Sequence, residues 1–272
     1  ATIVITSSTT AGDATVTAST GSATDSVTVT FTPGAAQALV VTPSATAITA
    51  DSTSTSTLSA TVKDSHGNTV AAGTTVNWTT SIGHLASATS STDAKGVATV
   101  VLTSATTTGD AKVQATSGSA TGSATVAFTA GVATSLTVAA TPTSIVANGT
   151  STSTLNTTIK DVNGNTVAAG VTVNWTTSAG SLANATSTTN ASGVASVVLT
   201  SATKAGDATV QAAVGAVKAS ATVSFTAGAA ASASSSTSQS SITADGNSTS
   251  TITVVVTDAN GNPVGAGVTV DW

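Results

Sequence analysis

Asp64, Asp161 and Asp258 are each followed, three and four residues later, by a Gly-Asn pair. Clustered oxygens of this kind could hold a hard cation such as calcium. One carboxylate per loop is few for that task. A turn accounts for the pattern more simply, since Asp accepts backbone hydrogen bonds while Gly and Asn tolerate positive φ. Asp13, Asp110 and Asp207, each preceded by Gly, are read as turn residues in the same way. Asp93 adds a further carboxylate, but Asn190 stands 97 residues on, so a site built on Asp93 would not recur.

The remaining candidates are weaker. His66 and His84 are the only imidazoles, and 97 residues further along their places are taken by Asn163 and Ser181. A catalytic or metal-binding His needs partners, and no second His, Cys or Glu cluster accompanies either one. Ser and Thr are abundant, but a nucleophile needs an activating base and an oxyanion pocket. No Gly-x-Ser-x-Gly run sits in the strand-turn-helix setting that would create one. Trp78 and Trp175 could stack on a sugar if exposed, yet each shares a strand face with a Val, Val76 or Val173, as a core residue does. Triplets such as Asn77-Trp78-Thr79, Asn148-Gly149-Thr150 and Asn184-Ala185-Thr186 match the glycosylation pattern, as chance allows in a chain rich in Asn and Thr. We assign no catalytic residue, no cofactor-binding residue and no metal ligand, and we expect no enzyme activity and no cofactor.

Composition narrows the class. Of 272 residues 40 % are hydrophobic but only 2 % aromatic and 6 % charged, with net charge −5 and neither Met, Tyr nor Cys. Val and Thr are β-branched and sit well on a pleated surface, so the mixture favours strands. Six basic residues spread singly cannot neutralise a row of phosphates, which excludes nucleic acid and anionic membrane surfaces as expected partners. Without Cys there are no disulfides, thiolate metal sites or thiol nucleophiles. Apolar runs such as Val97–Leu102 are short and interrupted, so no direct membrane insertion is expected in this segment.

Repetition is the strongest signal. Trp occurs only at Trp78, Trp175 and Trp272, and Phe only at Phe31, Phe128 and Phe225, each 97 residues apart. The Gly12-Asp13 pair and the Asp64-Gly67-Asn68 pattern keep the same period. On this basis residues 34–130 and 131–227 are two complete repeats. Residues 1–33 match the last third of a repeat, and residues 228–272 match the first half of one. Both ends thus fall inside a repeat, and we expect a segment of a longer repetitive protein.

Within a repeat the pattern is all-β. Leu58, Ala60 and Val62 alternate with Ser59 and Thr61; Ala111, Val113 and Ala115 alternate with Lys112 and Gln114; Ala124, Val126 and Phe128 alternate with Thr125 and Ala127. This is the period of half-buried strands. The nearly continuous run Val97–Leu102 suggests a more central strand. Turn signals at 64–68, 93–96 and 117–118 separate them. About seven short strands per repeat is the pattern of an immunoglobulin-like β-sandwich, with Trp as its central core residue and no disulfide between the sheets. The linker Thr129-Ala130-Gly131-Val132-Ala133 is very short, so tandem sandwiches arranged end to end as a rod are expected.

The string Val62-Lys63-Asp64-Ser65-His66-Gly67-Asn68-Thr69-Val70, followed by Gly73-Thr74-Thr75-Val76-Asn77-Trp78 and later by Thr92-Asp93-Ala94-Lys95-Gly96-Val97-Ala98, resembles the group 1 bacterial immunoglobulin-like domain. It recurs at 159–165 and 258–264. That family supplies the repeats of invasin- and intimin-like adhesins. The resemblance implies an extracellular location on the bacterial cell surface, with anchoring in the outer membrane through a region outside these residues. It implies a stalk that carries a distal tip, with a host-cell or surface receptor contacted by a further domain. No receptor-binding residue carries over. A second expectation is self-association of the repeats into an extracellular fibre or sheath, and a third is weak ligand binding multiplied by avidity. In each case the neighbouring repeats of the same chain are the immediate partners.

Overall fold

The computed structural model describes residues 1–272, and every regular element in it is a β-strand. Two compact units divide the chain, Ala1–Gly131 and Val132–Trp272. No helix is long and apolar enough to cross a membrane.

In the first unit β1 (Gly12–Thr20) and β2 (Ala23–Phe31) form an antiparallel hairpin. After it come β3 (Ala38–Pro43), β4 (Ala47–Thr49), β5 (Thr55–Lys63), β6 (Thr75–Thr80) and β7 (His84–Leu85). The run continues with β8 (Thr89–Ser91), β9 (Val97–Thr103), β10 (Gly109–Ser117) and β11 (Ala120–Thr129). These make two sheets, in spatial order β3-β5-β9-β7 and β4-β11-β10-β6-β8. All pairings are antiparallel except β4 with β11.

The second unit repeats the sandwich with β12 (Ser135–Thr141), β13 (Ser144–Val146), β14 (Thr152–Lys160), β15 (Thr172–Thr177) and β16 (Ser181–Leu182). It goes on through β17 (Thr186–Thr188), β18 (Val194–Thr200), β19 (Gly206–Val214) and β20 (Val217–Thr226). The sheets are β12-β14-β18-β16 and β13-β20-β19-β15-β17. A final antiparallel pair, β21 (Ala230–Thr237) with β22 (Ile252–Asp258), ends the unit.

Alternation built these strands, and it also selects the core. Leu58, Ala60 and Val62 of β5 and Ala98, Val100 and Leu102 of β9 turn inward from one sheet. Val76 and Trp78 of β6, Ala111, Val113 and Ala115 of β10, and Val126 and Phe128 of β11 meet them from the other. The alternate Thr and Ser residues point to water, where their hydroxyls stay solvated. The second sandwich buries the equivalent set around Trp175 and Phe225. Val97–Leu102 lies in β9, which is flanked by β5 and β7, so its central position is as expected. It still alternates, with Val101 only half-buried.

Each sandwich has nine strands rather than about seven. The shortest, β4, β7 and β8, are two or three residues long, too short for a period of two to register. Gly83 marks a close approach: a Cβ there would stand 2.6 Å from the Thr103 carbonyl and 2.8 Å from the Phe128 ring.

Both core indoles lie in buried sites with satisfied polar handles. Trp78 donates its Nε1 hydrogen to Ser90 Oγ at 2.8 Å and Trp175 to Ser187 Oγ at 2.8 Å. Trp175→Ala should therefore destabilise its sandwich by about 3–5 kcal/mol, a large part of the roughly 5–15 kcal/mol available to a domain. Thermal unfolding followed by circular dichroism reads this directly. An unchanged melting profile would remove Trp175 from the core.

Candidate functional site

The most highly organised polar cluster is the turn after β5, together with its counterpart after β22. β5 ends at Lys63, and Gly67 adopts φ 85°, closing a turn in which Asn68 donates and accepts around Asp64. Asp64 is buried. Its Oδ1 accepts the backbone N–H of His66 and of Asn68, both at 2.9 Å. Its Oδ2 accepts Asn68 Nδ2 and the Gly34 N–H, again at 2.9 Å. A carboxylate offers about four acceptor sites, and all four are taken. That leaves no lone pair of Asp64 for a cation.

Asn68 then reaches outside its own repeat. Its Nδ2 donates to the Thr9 carbonyl, and its Oδ1 accepts the Ala11 N–H, both at 2.9 Å. Thr9 and Ala11 lie in the loop before β1, so a single amide clasps the hairpin to the following sandwich. The second unit repeats the device. Asn262 donates to the Thr203 carbonyl at 2.9 Å and accepts the Ala205 N–H at 2.7 Å. Asp258 accepts Asn262 Nδ2 at 2.9 Å and the Gly228 N–H at 2.8 Å. Asn260 adds a bond from Nδ2 to the Ala147 carbonyl at 3.1 Å. In the middle repeat Asp161 Oδ1 accepts the Asn163 and Asn165 N–H groups in the same way.

Charge follows geometry. The Asn68 amide, then the Gly34 N–H, hold the Asp64 carboxyl well below its ordinary range, against the opposing effect of burial. Asn262 and Gly228 lower Asp258 from 3.8 to about 2 in the same manner. Asp51 is also lowered, by the Ser54 and Thr53 N–H groups and the Ser54 hydroxyl.

The other sequence candidates disperse. Asp93 accepts the Lys95 and Val97 N–H groups, at 2.8 and 2.9 Å. Asn190 accepts the equivalent pair from Ser192 and Val194. The position needs an acceptor and not a charge. Asn148, read as part of a glycosylation triplet, likewise accepts the Thr150 and Ser151 N–H groups, the role Asp51 plays in the preceding repeat. Asp13 and Asp207 are on strands rather than in turns. Each faces a hydroxyl across its hairpin, Thr30 or Ser224 at 2.6 Å, while the preceding Gly12 and Gly206 take the positive φ. His66 and His84 are exposed. No three His, Cys, Asp or Glu side chains gather in a way that could hold a metal ion.

The nine-stranded sandwiches define a class, that of immunoglobulin-like β-sandwich domains repeated along one chain. The family model described as invasin, domain 3, matches residues 36–131 and again 132–228, and the chain belongs to that family. Invasin, in a structure described as that of a bacterial integrin-binding protein, is 32 % identical over 85 % of this chain, with a TM-score of 0.50. The match spans 48 % of invasin's chain, about half of it. Yersinia pseudotuberculosis InvD has a TM-score of 0.61 at 21 % identity, covering 84 % of this chain and 71 % of its own. The Escherichia coli adhesin FdeC has a TM-score of 0.63 at 19 % identity, covering 87 % and 79 %. These two show the shared fold. No curated protein sequence matches this one. Adhesin repeats of this family act at the bacterial cell surface.

Two outcomes follow from the clasp. Folding favours the ionised form of these Asp residues, so their contribution is complete above the ordinary pKa of 3.8 and is lost as pH falls through the lowered values. The melting temperature should hold from neutral pH down to about 4 and fall below it. Asp64→Asn should melt lower at neutral pH and show a shallower acid limb. Separately, Asn262→Ala removes the acceptor of the Ala205 N–H. One such bond is worth about 0.5–1.5 kcal/mol, so exchange of that amide, followed by NMR, should speed up by about two- to tenfold. Unchanged protection would mean that the clasp does not hold the loop.

Proposed function

We propose that these repeats are the structural stalk, or spacer, of a large bacterial cell-surface adhesin that projects a binding tip away from the cell. The observation that carries this reading is the clasp: a buried Asp-Asn pair whose amide bonds the end loop of the preceding repeat, seen at Asn68 and again at Asn262. A spacer needs stiff joints more than a binding surface. The repeats are taken as 34–130 and 131–227, flanked by the partial repeats 1–33 and 228–272. The linker glycines Gly34 and Gly228 donate directly into the buried carboxylates, which ties each linker to the domain that follows it.

Receptor contact is assigned to a further domain and anchoring to an outer-membrane region, neither of them within these residues. The repeats act without catalysis, cofactor or metal, since the carboxylates best placed for chemistry are saturated by backbone and amide donors. Lateral pairing into a sheath is the weaker reading. Three of the four edge strands of the first sandwich, β4, β7 and β8, are two or three residues long, and short edges are how sheets avoid adding strands from neighbours; only β3, with six residues, offers a longer edge.

Small-angle X-ray scattering on residues 34–227 across a concentration series tests the stalk. An elongated particle, about twice the roughly 30–40 Å length of one domain and independent of concentration, is expected. Mass that grows with concentration would replace the spacer with a self-assembling surface.

A further inference from the structure

The loop after β13 brings a reactive pair together with the groups that would help it react. Asn148 is followed by Gly149, which has no Cβ to shield its N–H and adopts φ 77°. Both are exposed, while Ser201, the residue after β18, is buried beneath them. Four donors converge on the one amide oxygen of Asn148. They are the N–H groups of Thr150 and Ser151, at 2.9 and 2.8 Å, and the hydroxyls of Thr150 and Ser201, at 3.1 and 3.3 Å. The Gly149 N–H donates in turn to Ser201 Oγ at 3.2 Å. One hydroxyl thus bridges a backbone nitrogen and the side-chain carbonyl of the residue before it.

These contacts meet the demands of one reaction. When a backbone nitrogen attacks the side-chain carbonyl of a preceding Asn, negative charge grows on the carbonyl oxygen and the nitrogen must lose its proton. Donors already fixed on Oδ1 stabilise the charge. Ser201 Oγ is placed to take the proton while its own hydrogen passes to Oδ1. Asn260-Gly261 is the same dipeptide in a different setting. There the side-chain Nδ2 is tied to the Ala147 carbonyl, the Gly261 N–H is tied to the Asp258 carbonyl at 3.1 Å, and no donor reaches the amide oxygen.

The neighbouring repeats show which product fits the loop. Asp51 and Asp245 stand 97 residues to either side of Asn148. Each accepts the equivalent two N–H groups on Oδ1. Each also accepts a serine hydroxyl on Oδ2, from Ser54 at 2.8 Å or Ser248 at 2.9 Å. The N–H of the same serine does most to hold each carboxyl below its ordinary range. Ser151 occupies that serine's place, but its hydroxyl has no such acceptor, because the amide carries Nδ2 where a carboxylate carries a second oxygen.

We infer that Asn148 is a self-modification site, converted to Asp by its own loop. The Gly149 nitrogen bonds to Asn148 Cγ, the Cγ–Nδ2 bond breaks, and ammonia leaves carrying the Gly149 proton. Water then adds to Cγ of the five-membered imide and the Cγ–N bond breaks. A proton returns to the Gly149 nitrogen, which restores the main chain with Asp at 148. One water is consumed and one ammonia released, with no oxidation or reduction. Opening at the main-chain carbonyl would give isoaspartate instead, but the four donors lie on the Cγ oxygen and direct water there. The new carboxylate gives Ser151 the acceptor that Ser54 and Ser248 already have. The inference is independent of the stalk reading.

Storage of the folded 272-residue chain at mildly alkaline pH tests it, with peptide mass mapping and Asp-specific proteolysis to separate Asp from isoaspartate. Asn148 should convert about tenfold faster than Asn260, or more, and yield chiefly Asp. In urea the two sites should react at similar rates and yield chiefly isoaspartate, since only the dipeptide is then shared. Ser201→Ala should slow conversion of Asn148 by about tenfold or more and leave Asn260 unchanged, with circular dichroism confirming the fold. Should that variant not fold, the comparison of folded and urea-treated wild-type decides alone. An Asn148 that outlasts Asn260, isoaspartate as its main product, or a folded Ser201→Ala chain that converts at the wild-type rate would each overturn the proposal.

Discussion

A buried carboxylate has to be surrounded by donors, because an ionised group without partners is far too costly to remove from water. Asp64 and Asp258 meet that demand with backbone N–H groups of their own turn, the N–H of a linker glycine, and one side-chain amide. Three separate stretches of chain are thereby fixed at one point: the end of a core strand, the linker that enters the domain, and the Asn that reaches the preceding repeat. The turn, the linker and the joint cannot be varied independently. An Asn held by an Asp is also oriented in advance, so binding the neighbouring loop costs little further side-chain entropy.

The core holds the two sheets of each sandwich together, and it does so mostly with small residues. No disulfide joins the sheets, because the chain has no Cys. One Trp and one Phe per repeat supply the bulk, and Val, Leu and Ala fill the layers between. Cores of this kind leave little room for error. Thr157 stands where the first repeat has Ala60, and its fully buried hydroxyl has no hydrogen-bond partner, a departure that nothing in its surroundings offsets. The outward faces are nearly uncharged, and Thr and Ser hydroxyls keep them wet.

Much of this was legible in the sequence. The spacing of Trp and Phe gave the repeat, and alternation around Leu58, Val113 and Val126 gave strands and core faces, because both signals are periodic. The Asp64-Gly67-Asn68 turn was legible as a turn for the same local reason. Its second role was not, since the bond from Asn68 to Thr9 joins residues 59 apart in sequence and no local pattern announces such a partner. One trace was available. Across the three turns Ser65, Val162 and Ala259 all differ, and His66 stands where the other two have Asn163 and Asn260, whereas Asp, Gly and the second Asn stay fixed. A turn alone would tolerate Asp or Ser at the Asn position. Asp13 was misread as a turn residue because Gly-Asp is a turn signal in general; here the glycine opens a strand, and the carboxylate faces Thr30 across the hairpin.

Constancy of the Asp and Asn alongside drift of their neighbours separates two demands on a repeated domain. The interior must merely fill its volume, so Leu58 is replaced by Ile252 and Val62 by Ile159 at equivalent places. A joint must match two copies at once. The sandwich of β3 to β11 offers its turn to the loop before it, and the sandwich of β12 to β20 offers its end loop to the turn after it. A change on one side alone leaves a buried amide or carboxylate without its partner, and a buried unpaired polar group costs more than a lost methyl group. Exchange of whole repeats keeps both sides together, whereas point substitution does not. An array of repeats built this way can lengthen by copying and still keep joints of one kind, provided the Asp, the Gly and the Asn travel with each copy.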